Sequence, residues 1–417
     1  ESRRKGCVKM KIAVLGCGTV GSGVVDLIDE LGSVYAKRCS QKSVEVKYIL
    51  DLRDLKDTPY ETRVIHDIDS IINDGEIDVV AEMMGGTEPA FTFCMRAMAA
   101  GKCVVTSNKQ LVAEKGEALM AQAEKNDVAF MFGASVCGGI PVLRNIFSCL
   151  SSNKTESFSG ILNGTTNYIL TKMTEEKSSF EAALSDAQKK GFAEKDPTDD
   201  IEGFDAARKT AILCSACFGS HVYPDEIKTK GITEITLEDV TYLKNAGFAV
   251  KLIGRGSVKD GRIYACVAPA ALSEKDILSG VRGVLNAVFI KGNAMPELML
   301  SGPGAGKLPT ASDVVADILE CARLKFKNEP VYSWSEHRDG IMGDVDLSEK
   351  RFYVRGFSND TEKTTARVRE AFGGIKLLSD GGAKDIAFIC EADGRSALND
   401  RLDSADGFVP VSVIPVL

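Results

Sequence analysis

The sequence predicts an α/β protein with three parts. A parallel sheet covered by helices comes first, an α+β segment follows, and a small β-α-β-β-α-β unit ends the chain. Three observations carry this. Over the first 130 residues short apolar runs alternate with amphipathic stretches, and strand, helix, strand in close succession means parallel strands buried on both faces. From about residue 145 to 310 the strict alternation gives way to longer strands and helices. Past Gly340–Asp346 a third pattern begins, self-contained and about 70 residues long.

In the first part the expected strands are Lys11–Leu15, Val44–Leu50, Thr62–His66, Val79–Met83, Cys103–Thr106 and Val128–Phe132, with helices over Gly21–Leu31, Pro89–Ala99 and Ala113–Lys125. The first strand runs into Gly16-Cys-Gly18-Thr19-Val20-Gly21. In such a turn Gly16 permits the sharp bend, Gly18 lets backbone approach a pyrophosphate, and Gly21 lets helix and strand pack closely. The helix start then offers free N–H groups and a positive dipole end to phosphates. This is a Rossmann-type dinucleotide fingerprint in the strand–turn–helix context it needs. The second strand ends in Asp51-Leu-Arg53. An acid there serves the ribose hydroxyls of NAD and an arginine the extra phosphate of NADP, so both cofactors stay open. Asp51 lies 30 residues past Gly21, a distance that predicts a loop inserted over Glu30–Ser43. The C-terminal unit reads as Arg351–Phe357, a helix through Thr361–Ala371, Ile375–Leu378, Ile386–Glu391, a helix near Ser396–Ser404, and Val409–Leu417.

Composition excludes several classes. With 417 residues, 44% hydrophobic and 26% charged, the chain builds real cores and holds two or three domains at about 150 residues each. The net charge of −8 argues against a nucleic-acid partner, which would need clustered Lys and Arg. No apolar stretch reaches the roughly 18 residues of a membrane span, and Glu1–Met10 carries no apolar signal-peptide core, so a cytoplasmic protein is expected. The 12 cysteines sit mostly in apolar stretches. Cys214 and Cys217 are the one close pair, read as helix packing in a reducing compartment rather than a metal or redox site. The three histidines, His66, His221 and His337, stand apart from other catalytic residue types. Gly302-Pro-Gly304-Ala-Gly306-Lys307 is one residue short of a P-loop and lacks its Ser/Thr.

The densest polar constellation is Gly191-Phe-Ala-Glu194-Lys-Asp196-Pro-Thr-Asp199-Asp200-Ile-Glu-Gly203-Phe-Asp205-Ala-Ala-Arg-Lys209. A helix is expected from around Asp200, with the acids at its front, where the dipole favours them. Asp205 and Lys209 share one face, and Ile212, Leu213 and Ala216 follow on it. Burial would lower the lysine pKa and Asp205 would raise it, so the net direction is open. Such a lysine can pass a proton to an alkoxide. The alternative is an ordinary ion pair on a surface helix.

Taken in order, these stretches resemble homoserine dehydrogenase. The matching segments are Gly16–Gly21, Glu82-Met-Met-Gly85-Gly86-Thr87, Val105-Thr106-Ser107-Asn108-Lys109-Gln110 and Ala134-Ser135-Val136-Cys137-Gly138-Gly139-Ile140-Pro141. They continue through Gly160-Ile-Leu-Asn163-Gly164-Thr165-Thr166-Asn167-Tyr168, the Gly191–Lys209 cluster and Gly302–Thr310. The resemblance spans about residues 10 to 330. It implies NAD(P)-dependent interconversion of L-homoserine and L-aspartate 4-semialdehyde, on the route to threonine, methionine and isoleucine. It further implies that Lys209 donates the proton, Lys109 stands beside nicotinamide and substrate, and Asp205 and Glu194 hold the substrate with Asp200 in support. Gly164, Thr165 and Gly191 would line substrate and nicotinamide. Gly16, Gly18, Thr19, Val20, Gly21, Asp51, Arg53, Gly304 and Gly306 would serve the cofactor. The implied domains are 10–145 for NAD(P), completed by about 305–340; 146–304 for substrate and dimerisation; and 347–417, similar to an ACT domain. A homodimer or homotetramer is implied.

Two positions depart from the family pattern. Family members often carry a glutamate just before Ala134-Ser135, where it helps bind a monovalent cation such as sodium; here the residue is Gly133. The carbonyls of Val136, Gly138 and Ile140 remain as implied ligands. In the C-terminal unit the usual ligand loop with its glycine reads Ser358-Asn-Asp360-Thr-Glu-Lys-Thr, which predicts a mainly structural or assembly role, with feedback by threonine weak or lost. Two other functions compete: another semialdehyde dehydrogenase, which needs a Cys paired with a His, and a catalytically silent nucleotide-binding amino-acid sensor, which has no use for Lys209, Asp205 and Glu194 together.

Overall fold

The computed structural model describes residues 9–39, 41–324, 332–347, 349–379 and 385–417. Its architecture is the expected α/β class, built on three sheets. The first contains β1 (Lys9–Leu15), β2 (Ser43–Leu50), β3 (Val64–Ile65), β4 (Ile77–Glu82), β5 (Cys103–Thr106) and β6 (Phe130–Met131), in the order β3-β2-β1-β4-β5-β6. Every pairing in it is parallel. Ile12, Ala13, Val14 and Leu15 are all fully buried, which only a strand covered on both faces achieves.

Three local readings change. The segment expected as a loop over Glu30–Ser43 is mostly helix: the first helix runs unbroken over Thr19–Arg38. Tyr35 and Ala36 extend its buried stripe, and Lys37 and Arg38 suit its C-terminal dipole. The long spacing to Asp51 is therefore helix length. The strand expected over Thr62–His66 shrinks to β3, because Glu61–Arg63 forms a 3₁₀ turn. There Arg63 makes two 2.8 Å bonds to Asp29 on the first helix. The strand expected over Val128–Phe132 starts late, because the Val128 N–H is spent on Ala123 O, closing the Lys109–Lys125 helix.

The middle sheet has β7 (Thr155–Ile161), β8 (Lys228–Thr229), β9 (Phe248–Lys259), β10 (Arg262–Ser273), β11 (Leu285–Gly292) and β12 (Leu298–Pro303), ordered β12-β11-β7-β9-β10-β8. After it the Lys307–Leu324 helix returns to the first helix. A Cβ on Gly23 would lie 2.9 Å from Lys307 O and 3.0 Å from Ala311 Cβ, so the contact is backbone-close.

The last sheet holds β13 (Arg351–Phe357), β14 (Ile375–Leu377), β15 (Asp385–Glu391) and β16 (Val409–Pro415), ordered β14-β15-β13-β16. Phe352, Val354 and Phe388 on one face build a core of their own with Val368 and Leu398 from its two helices. Tyr353, Ala387, Ile389 and Ile414 on the other face belong to the main core. This unit is therefore docked by half of its sheet rather than self-contained. Among the described residues no helix is long and apolar enough to cross a membrane.

Candidate active site

Helical character near Asp200 comes in two pieces. Thr198–Ile201 is a single turn. Gly203, at φ +85°, then redirects the chain into the Phe204–Phe218 helix, a backbone state that glycine reaches without strain. The break places Asp205 in the first turn of the long helix with Lys209 one turn on. Lys209 Nζ donates to Asp205 Oδ2 at 2.7 Å and to Leu162 O at 2.8 Å. Lys109 Nζ, from the start of the Lys109–Lys125 helix, meets Asp205 Oδ1 at 2.6 Å. Asn163 Nδ2 bridges Asp205 Oδ2 at 2.9 Å and Asp200 Oδ1 at 2.6 Å.

This is no surface ion pair: Asp205 is 4% and Lys209 8% exposed. Burial pushes the Asp205 carboxyl up, but Lys209 and Lys109 outweigh it and hold the group well below the usual carboxylate range. Burial likewise works against the Lys209 charge, and Asp205 overcomes it, so that lysine is raised above its ordinary value. That settles the direction the sequence left open. Asp200 is raised, by burial first and by the Asp205 charge second.

Asn163 went unmarked as a functional residue at the sequence level. Its signal was present: it is the N-cap of the Gly164–Glu176 helix, with its side chain accepting from Thr166 N at 2.8 Å. Asn108 caps the Lys109–Lys125 helix in the same way. The cap is braced from behind. Asn108 N donates to Thr106 Oγ1 at 2.9 Å, and Thr106 Oγ1 donates to the buried Glu82 at 2.6 Å.

The other expected substrate residues lie around this cluster. A side chain at Gly164 would strike Val284 O at 2.7 Å. Thr165 Oγ1 donates to Phe192 O at 2.6 Å, which ties the helix start to the Gly191–Glu194 loop. Glu194 itself is exposed. Its backbone carbonyl accepts from Gln188 Nε2 at 3.1 Å, while its carboxylate joins no hydrogen bond or ion pair with the cluster among the described residues.

At the fingerprint, Gly16 adopts φ +87°, and a Cβ on Gly21 would sit 1.9 Å from Gly16 O. Nothing lies within 4 Å of a Cβ on Gly18, so that backbone is open to a ligand. Thr19 is exposed and Val20 half-buried. Asp51 bonds across the turn: Cys17 N donates to Oδ2 at 2.8 Å, Arg53 Nε to Oδ1 at 2.9 Å, and Arg53 Nη2 to Oδ2 at 2.8 Å. Arg53 Nη2 also reaches Cys17 O at 3.0 Å. Arg53, above all, holds the Asp51 carboxyl well below its usual range. A Cβ on Gly304 would lie 2.2 Å from Asn286, and Gly306 leads into the Lys307–Leu324 helix.

Around Gly133, the position lacking its glutamate, a different carboxylate is found. Asp317 Oδ2 accepts from Gly133 N at 2.7 Å and would lie 2.9 Å from a Cβ there. Arg144 Nη2 and Tyr332 Oη donate to Asp317 Oδ1 at 2.5 and 3.2 Å. Asp317 is fully buried and Asp313 is 7% exposed, and burial raises both carboxyls. The loop residues Val136, Gly138 and Ile140 are buried. Among the described residues no group of three His, Cys, Asp or Glu is placed to hold a metal. Among the same residues the cysteines are free thiols. Burial pushes Cys137, beside the Lys209 cluster, up to about 11.

Against known proteins, the model describing homoserine dehydrogenase matches residues 141–319, and that describing the homoserine dehydrogenase NAD binding domain matches 16–133. A homoserine dehydrogenase of Bacillus subtilis (strain 168) is 43% identical over 314 residues, spanning 74% of this chain and 72% of that one. One from Lactococcus lactis subsp. lactis (strain IL1403) is 39% identical over 385 residues, with 91% and 88% covered. The crystal structure of a homoserine dehydrogenase from Thiobacillus denitrificans superposes with a TM-score of 0.89 at 30% identity, covering 99% of each chain.

Proposed function

The chain belongs to the homoserine dehydrogenase family, and from that premise we propose how its own residues divide the work. The reaction is the NAD(P)-dependent interconversion of L-homoserine and L-aspartate 4-semialdehyde. When bound, the nicotinamide delivers or takes up the hydride. The Gly16–Gly21 turn, with Gly18 open and the Thr19–Arg38 helix behind it, fits the diphosphate of that cofactor.

One observation carries the assignment of the proton. An ammonium has three N–H donors, and Lys209 spends one on Asp205 and one on Leu162 O, leaving the third for the substrate oxygen. Lys209 therefore protonates the oxygen as the semialdehyde is reduced and takes the proton back as homoserine is oxidised. Lys109, on the far side of Asp205, adds a second cation near the developing alkoxide. Asp205 holds both lysines in register. Glu194 and Asp200 answer the substrate ammonium, Gly164 and Thr165 shape its pocket, and Gly191, Gly304 and Gly306 face the cofactor.

Following nicotinamide absorbance with homoserine tests this. The unaltered protein turns over, and Lys209→Ala loses about 10²- to 10⁴-fold in kcat. Full activity in Lys209→Ala would remove the mechanism and leave the reaction standing.

Cofactor choice falls to Arg53. Both Asp51 oxygens are already occupied by Arg53 and Cys17 N, so the exposed guanidinium, not the carboxylate, is offered to the adenosine ribose, and NADP is favoured. A monovalent cation such as sodium belongs with the carbonyls of Val136, Gly138 and Ile140; on the Lys307–Leu324 helix, which packs on this loop through Thr310 and Asp317, a buried carboxylate oxygen of Asp313 has no partner among the described residues. Assembly as a homodimer runs through the middle sheet, where Leu285 on β11 is an exposed apolar residue.

A further inference from the structure

We propose that Asp313 supplies the carboxylate that Gly133 no longer provides, completing the monovalent-cation site at the 133–140 loop. The inference rests on the reading that this loop's carbonyls take a cation, and it concerns where the negative charge comes from.

The argument starts with the Lys307–Leu324 helix. Thr310, Asp313 and Asp317 are spaced three and four apart, so they form one stripe along it. Both ends of that stripe touch the loop. Thr310 packs on Gly138, where a Cβ would lie 2.8 Å from its methyl and 3.0 Å from its hydroxyl. Asp317 packs on Gly133, as described above. Asp313 lies between them on the same stripe, three residues after Thr310 and four before Asp317.

The two acids are not equivalent. Asp317 is committed, with Gly133 N on one oxygen and Arg144 and Tyr332 on the other. Asp313 is more than nine-tenths buried, and its Oδ2 has no hydrogen-bond partner among the described residues. Among the described residues the charges here are the two aspartates, Arg144, and the part-exposed Glu320, 3.6 Å from Arg144 Nη1. Among the described residues two buried carboxylates thus share one guanidinium, so with both ionised one negative charge has no cationic partner. A buried charge in that state is costly unless something pairs with it. A hard monovalent cation, with carboxylate and carbonyl oxygens around it, supplies the missing charge and uses the orphaned lone pairs.

The test uses the full chain without cofactor, at about pH 8, where carboxylates are ordinarily ionised. The midpoint of thermal unfolding is followed as sodium or potassium chloride replaces choline chloride at constant ionic strength. The unaltered protein should be stabilised by sodium or potassium and not by choline. Asp313→Asn, close to isosteric, should raise the half-saturating cation concentration about tenfold or more, equivalent to about 1.4 kcal/mol. Asp313→Glu, which keeps the charge, should retain the response, and it stands in if the Asn variant does not fold. A cation response undiminished in Asp313→Asn, or lost in Asp313→Glu as fully as in Asp313→Asn, overturns the role of Asp313 alone. No difference between sodium, potassium and choline in the unaltered protein overturns the cation reading itself.

Discussion

Lys209 and Asp205 lie buried together, with Lys109 pressing on the carboxylate from outside. The consequence is a lysine raised above its ordinary value by a carboxylate that outweighs burial. It is therefore protonated at neutral pH, ready to donate during reduction and slow to accept during oxidation. Oxidation of homoserine should accordingly rise through the alkaline range. Asp205→Asn removes the partner and leaves burial, which lowers the lysine. Its alkaline limb in kcat/KM for homoserine should move to lower pH, along with a fall in rate, and a limb that stays in place would contradict the assignment. At the other end of the site, Arg53 occupies Asp51. Arg53→Ala returns the carboxylate to the ribose, so the ratio of kcat/KM for NADP over NAD should fall about tenfold, the worth of one lost charge-assisted hydrogen bond. An unchanged ratio would place cofactor choice elsewhere.

Elements were legible where the pattern was strong and local. The strand–turn–helix of the fingerprint is written in Gly16, Gly18 and Gly21, and all three are used as their spacing implies: a left-handed bend, an open backbone and a close contact. The Asp205–Lys209 pair was legible as neighbours on one helix face. Elements whose ends depend on distant partners were not. Nothing near Arg63 in the chain announces Asp29, which draws it away from the sheet. The Glu30–Ser43 stretch is polar enough to read as loop, and only the buried Tyr35 and Ala36 show why it stays helical. Asn163 is a cap by sequence, yet its donation to Asp200 and Asp205 requires two segments about 40 residues away to fold back onto it.

Over the whole molecule, the C-terminal unit is fastened by a buried charge pair. Arg355 on β13 bonds Asp239 at 2.7 Å and Thr236 at 3.0 Å, and Tyr353 Oη adds a bond to Asp239 at 3.0 Å. Asp239 also closes the capping box that begins the Leu237–Asn245 helix, so the joint is built into the end of a helix. Arg355→Met leaves Asp239 buried without its charge partner and should cost about 3–5 kcal/mol, read as an earlier urea transition. A loss below about 1 kcal/mol would mean that the unit is held elsewhere. In the Ser358–Asp360 loop Ser358 is buried and its Oγ bonds Thr364, while the exposed Asp360 caps the Thr361–Phe372 helix. The Ser358 and Asp360 side chains are thus engaged within the unit. By itself the sequence determined the fold class, the nucleotide turn and the placing of Asp205 and Lys209 on one helix face, because each is encoded by residues close together in the chain. Only the tertiary structure decided that the Lys209 pKa is raised, that Lys109 shares its carboxylate, and that Asp317 meets Gly133. Those outcomes depend on burial and on charges brought together from distant parts of the chain.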